Sequence, residues 1–196
     1  MSDKPSYLGL LNAIALGESR AHAYLTEWIK VTTDPGVCAT LSTVAAREGE
    51  HGMSFAKRIN ELGYQVQDRE DADFAKRMAI AGSTTKTDLE KMEKLGLGRL
   101  DSGDKPDFFD DIFKDHSIDI QTAELMGRYI AEERDSGRLL KCCYEELKAR
   151  SARAGNGKSK GKSGSASPSD LAALEAKVDA LCATVEDIRD NLSVRA

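Results

Sequence analysis

The sequence predicts an all-α protein. Apolar side chains recur at spacings of three and four residues along several long segments, which is the period of one helical face. The 196-residue chain has four prolines and 6% aromatic residues, a composition unlike that of a β-sandwich or a β-barrel. Its hydrophobic fraction of 40% and charged fraction of 31% are typical of a folded helical protein rather than a disordered chain.

The net charge argues against one class of partner. It is −5 at pH 7, with a pI near 5.3, so electrostatics do not favour nucleic acid. Lys158, Lys160 and Lys162 could contact an acidic surface, but a lysine run without aromatic residues is more typical of a solvated linker. We therefore predict that nucleic-acid binding is not the function.

Membrane insertion is not expected either, because no stretch approaches the roughly 20 apolar residues that cross a bilayer. The four cysteines lack the spacing of a zinc site, and two of them, Cys142 and Cys143, are adjacent. Since the sequence shows no export signal, we expect reduced thiols in a cytoplasmic protein.

The first two helices form a predicted hairpin. Helix one should cover 7–31, with Ser6 as its N-cap. Helix two has Asp34 to cap it, Pro35 at its first position and Gly63 to end it. Because only a few residues separate the two helices, they must run antiparallel.

The middle of the chain predicts short helices over 73–81 and 87–95, punctuated by glycines. A long helical segment then opens at Asp104 and runs towards Arg150, with a bend near His116 and Ser117. Together these elements predict one helical bundle domain over 1–152.

Two further regions follow the bundle. Residues 153–169 form a Gly/Ser/Lys-rich flexible linker. Residues 170–196 carry a heptad repeat, which predicts a coiled coil that oligomerises the chain or binds a partner protein. A tail helix that packs back on the bundle is the alternative. The heptad positions are Leu171, Leu174, Val178, Leu181, Val185, Ile188 and Leu192.

Ionisable residues interrupt the apolar stripes of the hairpin. The stripe on helix one comprises Leu8, Leu11, Ala15, Glu18, His22, Leu25 and Ile29. The stripe on helix two comprises Val37, Leu41, Val44, Glu48, His51, Phe55, Ile59 and Leu62. Glu18, Glu48 and His51 therefore point into the predicted core. His22 either supports one of these residues through a hydrogen bond or is simply a hydrogen-bonded histidine.

These residues also lie at one height. Counted from Asp34, Glu18 is 16 residues back, and Glu48 and His51 are 14 and 17 residues forward. At about 1.5 Å per residue all three are roughly 21 to 26 Å from the turn, and so are neighbours across the hairpin. Buried unpaired carboxylates cost several kcal/mol, which a cation would offset. Carboxylates with one imidazole suit iron or manganese.

At these positions the sequence resembles the ferritin-like superfamily, particularly its rubrerythrin-like branch. The matching pieces are LGESRAHAYL around Glu18 and REGEHGMSFAKRINELG around Glu48 and His51. The resemblance implies a ferritin-like antiparallel helical bundle. It also implies a di-iron centre, with a lone Glu and a Glu-x-x-His from each of two helix pairs.

The second half departs from this pattern. IAEERDSGRLL resembles the second family motif and offers Glu133 as a metal ligand, but Ser136 stands where the histidine would be. Glu90 and Glu93 are candidates for the missing lone Glu, and His116 or Asp119 could contribute if the long helix bends there.

Three arrangements follow. Glu133 could complete an asymmetric site within one chain, two chains could pair their hairpins into a symmetric site, or the site could be degenerate, with Glu18, Arg47 and His51 pairing internally. The first two imply an iron (or manganese) protein that oxidises ferrous iron or handles oxygen or peroxide. The third implies a metal-free scaffold that tethers partners through its coil. A homodimer or higher homo-oligomer is expected from the coil.

Overall fold

The computed structural model describes residues 4–98 and 114–157, and within these ranges it contains five α-helices and no strand. The all-α prediction is confirmed for this part of the chain, whereas the predicted coil and most of the predicted linker lie outside it. None of the described helices combines the length and apolar character needed to cross a membrane. The helices are α1 Leu8–Ile29, α2 Pro35–Glu61, α3 Phe74–Ala81, α4 Asp88–Leu95 and α5 Ile120–Gly157.

The residues that begin and end α2 in the structure are the ones that the sequence predicted. The Asp34 carboxylate accepts hydrogen bonds from the backbone N–H groups of Gly36 (2.9 Å) and Val37 (3.0 Å), and Pro35 is the first helical residue. After the helix ends, Gly63 adopts a left-handed φ of +83°, which favours glycine. Pairings such as Ser19 with Gly52 and His22 with Ala45 show that the helices are antiparallel.

The start of α1 differs from the prediction that Ser6 caps it. Tyr7 occupies the N-cap position and its side chain makes no capping hydrogen bond. The Ser6 hydroxyl instead donates to Oδ2 of Asp115 at 2.8 Å and lies 3.1 Å from Oγ of Ser117. The Ser6 hydroxyl therefore bonds a residue more than a hundred positions away in the sequence and does not cap α1.

The chain departs from the α-helix at the bend predicted near His116 and Ser117, and α5 begins after it at Ile120. Residues 104–113 lie outside the described ranges, and the chain from Asp115 to Asp119 is not α-helical. Asp119 ends this break by capping α5, because its Oδ1 accepts from the Thr122 N–H at 3.0 Å. At its other end α5 runs beyond Arg150 to Gly157, so its last turn occupies the start of the predicted linker.

Two apolar clusters hold the long helices together, and α5 contributes to both. One contains Leu11, Phe55, Ile59, Met126 and Tyr129. The other contains Leu25, Trp28, Leu41, Val44 and Leu140, together with Ala81 of α3 and Met92 of α4. Along each long helix, the predicted site residues fall between the residues of these two clusters.

A buried lysine fastens α4 to its neighbours. Nζ of Lys91 donates to the Ala81 carbonyl at 2.9 Å and lies 5.5 Å from the centre of the Trp28 ring. Trp28 in turn donates from Nε1 to Oδ1 of Asp88 at 2.6 Å. Trp28 is therefore a buried packing residue.

Candidate metal centre

Three helices bring the four predicted ligands together. Glu18 comes from α1, Glu48 and His51 from α2, and Glu133 from α5. The exposed fractions of Glu18, Glu48 and His51 are 8%, 7% and 3%, so the core prediction for these residues is correct. Because Glu133 belongs to the same chain, the cluster assembles without a second copy.

Three atoms of this cluster face one another without hydrogen bonds. Nδ1 of His51 lies 3.5 Å from Oε1 of Glu133 and 3.8 Å from Oε2 of Glu18, and all three atoms lie within 4.8 Å of one another. In the described part of the chain, these are the buried side-chain oxygen and nitrogen atoms that lack a hydrogen-bond partner. Such atoms are rare in folded proteins, because a buried polar atom without a hydrogen bond costs about 1 to 3 kcal/mol. Attraction between the imidazole and the two carboxylates offsets part of that cost.

The remaining atoms of Glu18 and His51 are held in place. The Tyr129 hydroxyl donates to Oε1 of Glu18 at 2.9 Å, and Nε2 of His51 donates to Oε2 of Glu132 at 2.7 Å. The Tyr129 ring also meets the imidazole edge-on, with ring centres 5.0 Å apart. These contacts fix the two side chains so that the unpartnered atoms point inward.

Sequence reasoning missed Tyr129 and Glu132. Tyr129 could have been found, because it precedes Glu133 by four residues and follows Met126 by three, on the same face of α5. Glu132 falls outside the apolar stripe, so no periodicity selects it. Its second oxygen accepts from Nε of Arg128 at 3.0 Å, and Arg128 also bonds Glu50 at the surface.

Glu48 is the fourth acidic group of the cluster. Burial raises its pKa, and its contact with Glu18 raises it further, to about 11. Burial also acts to raise the pKa of Glu18, but its proximity to His51 and Glu48 and its hydrogen bond from Tyr129 outweigh burial, so that its pKa is lowered. At neutral pH the metal-free protein therefore holds a proton on Glu48, beside an ionised Glu18.

Besides the proton on Glu48, the cluster holds a proton on the His51 imidazole, which is therefore positively charged at neutral pH. Burial opposes the charge on His51, but the carboxylates of Glu133, Glu18 and Glu132 overcome it and raise its pKa to about 10. Burial also raises the pKa of the nearby Tyr24 to about 12, with a further contribution from Glu48. Protons thus supply the positive charge that this acidic cluster requires.

Two glycines allow α1 and α2 to approach closely beside the cluster. A Cβ at Gly52 would lie 2.5 Å from Oγ and 3.1 Å from the backbone nitrogen of Ser19. A Cβ at Gly49 would lie 2.9 Å from Nδ1 of His22. His22 is exposed and donates from Nδ1 to the Ala45 carbonyl at 2.7 Å, so it is a simple hydrogen-bonded histidine, which is one of its two predicted roles.

The second-half candidates do not join the cluster. Glu90 closes a capping box with Thr87 at the start of α4, and Glu93 is exposed. His116 is exposed, and Asp119 caps α5 and pairs with Arg58.

Ser136 occupies the position of the missing histidine. It is buried, and its hydroxyl accepts from Nη1 of Arg47 at 3.2 Å. Arg47 also pairs with Asp135 at 2.8 Å. A guanidinium group therefore lies where the family pattern would place a second imidazole ligand.

The donor set fits a metal ion. Two carboxylate oxygens and one imidazole nitrogen are ligands that suit Fe²⁺ or Mn²⁺. The unpartnered atoms of Glu18, His51 and Glu133 supply the observation on which this fit rests.

Comparison with protein-family models, curated proteins and solved structures finds no match for this chain. The ferritin-like resemblance therefore rests on the motifs around Glu18, Glu48, His51 and Glu133, and it stays a hypothesis.

Proposed function

We propose that this chain is a metal protein of ferritin-like character. In this proposal Glu18, Glu48, His51 and Glu133 hold iron or manganese between α1, α2 and α5. The protein would act in oxidation of ferrous iron or in handling of oxygen or peroxide. The single observation that carries the metal-binding part is the set of three buried, unpartnered atoms that converge from three helices.

The chain's own residues have defined tasks in this proposal. Tyr129 keeps one oxygen of Glu18 engaged and leaves the other for the metal. Glu132 accepts from Nε2 of His51 and so presents Nδ1, unprotonated, towards the ion. The bound metal would supply one-electron chemistry with oxygen or peroxide.

A metal-free scaffold is the competing function. It would require the cluster to be stable through its internal contacts, such as those of His51 with Glu132 and Glu18 with Tyr129. Those contacts engage one polar atom of His51 and one of Glu18. They leave the other polar atom of each residue without a hydrogen bond. Retaining such a costly cluster is easier to explain by metal binding than by packing alone.

Metal analysis of the purified protein separates the two functions. We expect protein expressed with added iron and manganese to retain metal, and Glu133→Gln and His51→Gln to lose most of it. Glu124→Gln, an exposed change on the same helix as Glu133, serves as the control. A content below about one ion per two chains, unchanged by either ligand variant, would contradict the proposal.

A further inference from the structure

The number of donors available at the centre determines how many ions it can hold. A two-metal site of the helical-bundle type uses a Glu from each of two helices and a Glu-x-x-His from each of two others. The described helices bring together the carboxyl groups of Glu18, Glu48 and Glu133 and the single imidazole of His51. The carboxylate of Glu132 also lies beside the imidazole, but its two oxygens are committed to His51 and Arg128. Among residues 4–98 and 114–157, one free carboxylate and one imidazole that a second ion would need are therefore missing.

We propose that the centre holds a single divalent cation, Fe²⁺ or Mn²⁺, per chain, ligated by Oε2 of Glu18, Nδ1 of His51 and Oε1 of Glu133. This inference rests on the proposed metal binding, and it specifies the number of ions and the atoms that hold the ion. The resemblance implies a bridged pair of ions, whereas the arrangement of donors favours one ion with three protein ligands.

The three ligand atoms are the ones already free. Glu18 and His51 are more than nine-tenths buried, and each has its other polar atom committed, to Tyr129 and to Glu132. Each residue therefore offers one atom and cannot easily turn to bridge a second ion. All three atoms lie within 4.8 Å of one another, so a single cation placed among them can reach every one.

The position where the resemblance would place the second imidazole offers no nitrogen donor. Ser136 stands there, and its hydroxyl accepts from Nη1 of Arg47, which also pairs with Asp135. Both groups are therefore committed to each other, and this part of α5 supplies no free ligand for a second ion.

The missing lone carboxylate has no replacement among the described residues of α3 and α4. Asp88 accepts hydrogen bonds from Trp28 and Thr32. Glu90 is committed to its capping box with Thr87, and Glu93 is exposed. The short helices instead contribute Ala81 and Met92 to the apolar cluster around Trp28. Where α3 and α4 pack against the hairpin, they therefore contribute apolar side chains and no ligand for a second ion.

Native mass spectrometry of the full chain tests the inference directly. Metal-free protein is titrated anaerobically with Mn²⁺ and, separately, with Fe²⁺. We expect one tightly bound ion per chain and no second tight step. Electron paramagnetic resonance of the Mn²⁺ form should show an isolated ion without exchange coupling.

Ligand variants test the assignment of the three atoms. Glu18→Gln, His51→Gln and Glu133→Gln should each weaken Mn²⁺ binding at least about tenfold, and Glu124→Gln should not. Circular dichroism of each variant establishes that it is folded. If Glu133→Gln keeps its affinity, the ligand assignment is wrong.

The possible outcomes distinguish the two proposals. Two tight ions with an exchange-coupled spectrum would overturn the single-ion inference and leave metal binding standing. Failure to bind either ion would overturn the proposed function itself.

Discussion

Oε1 of Glu18 accepts a 2.9 Å hydrogen bond from the Tyr129 hydroxyl, which links α1 to α5 inside the core. The bond directs the other oxygen of the same carboxylate towards His51 and Glu133. Tyr129 therefore determines which oxygen of Glu18 would be available to a metal in the proposed site. The consequences can be measured in both the metal-free and the loaded protein.

Tyr129→Phe should weaken metal binding and destabilise the metal-free protein. The variant leaves a buried charged oxygen without its donor, a loss of about 1.5 to 3 kcal/mol for a hydrogen bond to a charged group. Isothermal titration with Mn²⁺ and urea denaturation measure the two effects. Tyr144→Phe, which removes a hydroxyl elsewhere on α5, is the control. Equal behaviour of the two variants would show that the hydroxyl of Tyr129 has no special role.

Glu132→Leu should reduce Mn²⁺ affinity by about 10- to 100-fold, because His51 loses the acceptor that orients it. Glu132→Gln should lose much less, since its amide oxygen can still accept from Nε2. The ¹⁵N chemical shifts of His51 report which nitrogen carries the proton. If Leu and Gln variants bind equally well and their shifts match the wild type, Glu132 does not position the imidazole.

The metal-free protein should become less stable as the pH rises from about 5 to about 10. The pKa of Glu48 is raised from 4.5 to about 11, so the folded protein keeps a proton that the unfolded chain releases above pH 4.5. The pKa of His51 is raised from 6.5 to about 10, so the stability from its pairing is complete below pH 6.5 and disappears through about 10. Each such proton lowers the unfolding free energy by up to about 1.4 kcal/mol per pH unit.

Urea denaturation of metal-free protein across this pH range measures the slope. Glu48→Gln removes one of the two protons, so its slope should be shallower and its stability at pH 9 should exceed that of the wild type. A wild-type stability that is flat or rises with pH would contradict the assigned protonation states.

The same protons predict how metal affinity depends on pH. A cation must displace the proton on Nδ1 of His51, and it competes with the proton held between Glu48 and Glu18. Apparent Mn²⁺ affinity should therefore rise with pH between about 6 and 9, with protons released on binding. Titrations in buffers of different ionisation enthalpy count those protons. Binding without release would mean that His51 is neutral in the metal-free state.

Removal of residues 170–196 should lower the oligomeric state without affecting metal content. The heptad repeat of that segment favours a parallel two-stranded coil, whereas the three converging ligand atoms come from one chain. Light scattering and metal analysis of the full and shortened chains test both parts. An unchanged oligomeric state would remove the case for a coil.

Much of the centre could be predicted because it obeys the helical period. Glu18, Glu48 and His51 each replace an apolar residue in a stripe, and Asp34 and Gly63 fix the register between the two stripes. Local chemistry was enough to define the hairpin. Glu133 is predicted instead from the resemblance of IAEERDSGRLL to the second family motif.

The errors involve residues whose partners are distant in sequence or not periodic. Ser6 looks like a cap but bonds Asp115. Asp119 fits an apolar seam by spacing, yet it caps α5 and pairs with Arg58. Glu132 contributes through an off-stripe contact to His51. Such assignments depend on how helices meet in space, which a single sequence does not specify.

Gly52 lets α1 and α2 approach each other closely beside Glu18 and His51. Any larger residue would press on the Ser19 backbone and force α1 and α2 apart beside the ligands. The separation of α1 and α2 beside Glu18 and His51 therefore depends on the absence of one methyl group. In the proposed metal protein, the distance between ligands on the two helices would be set by the main chain as well as by the ligands themselves.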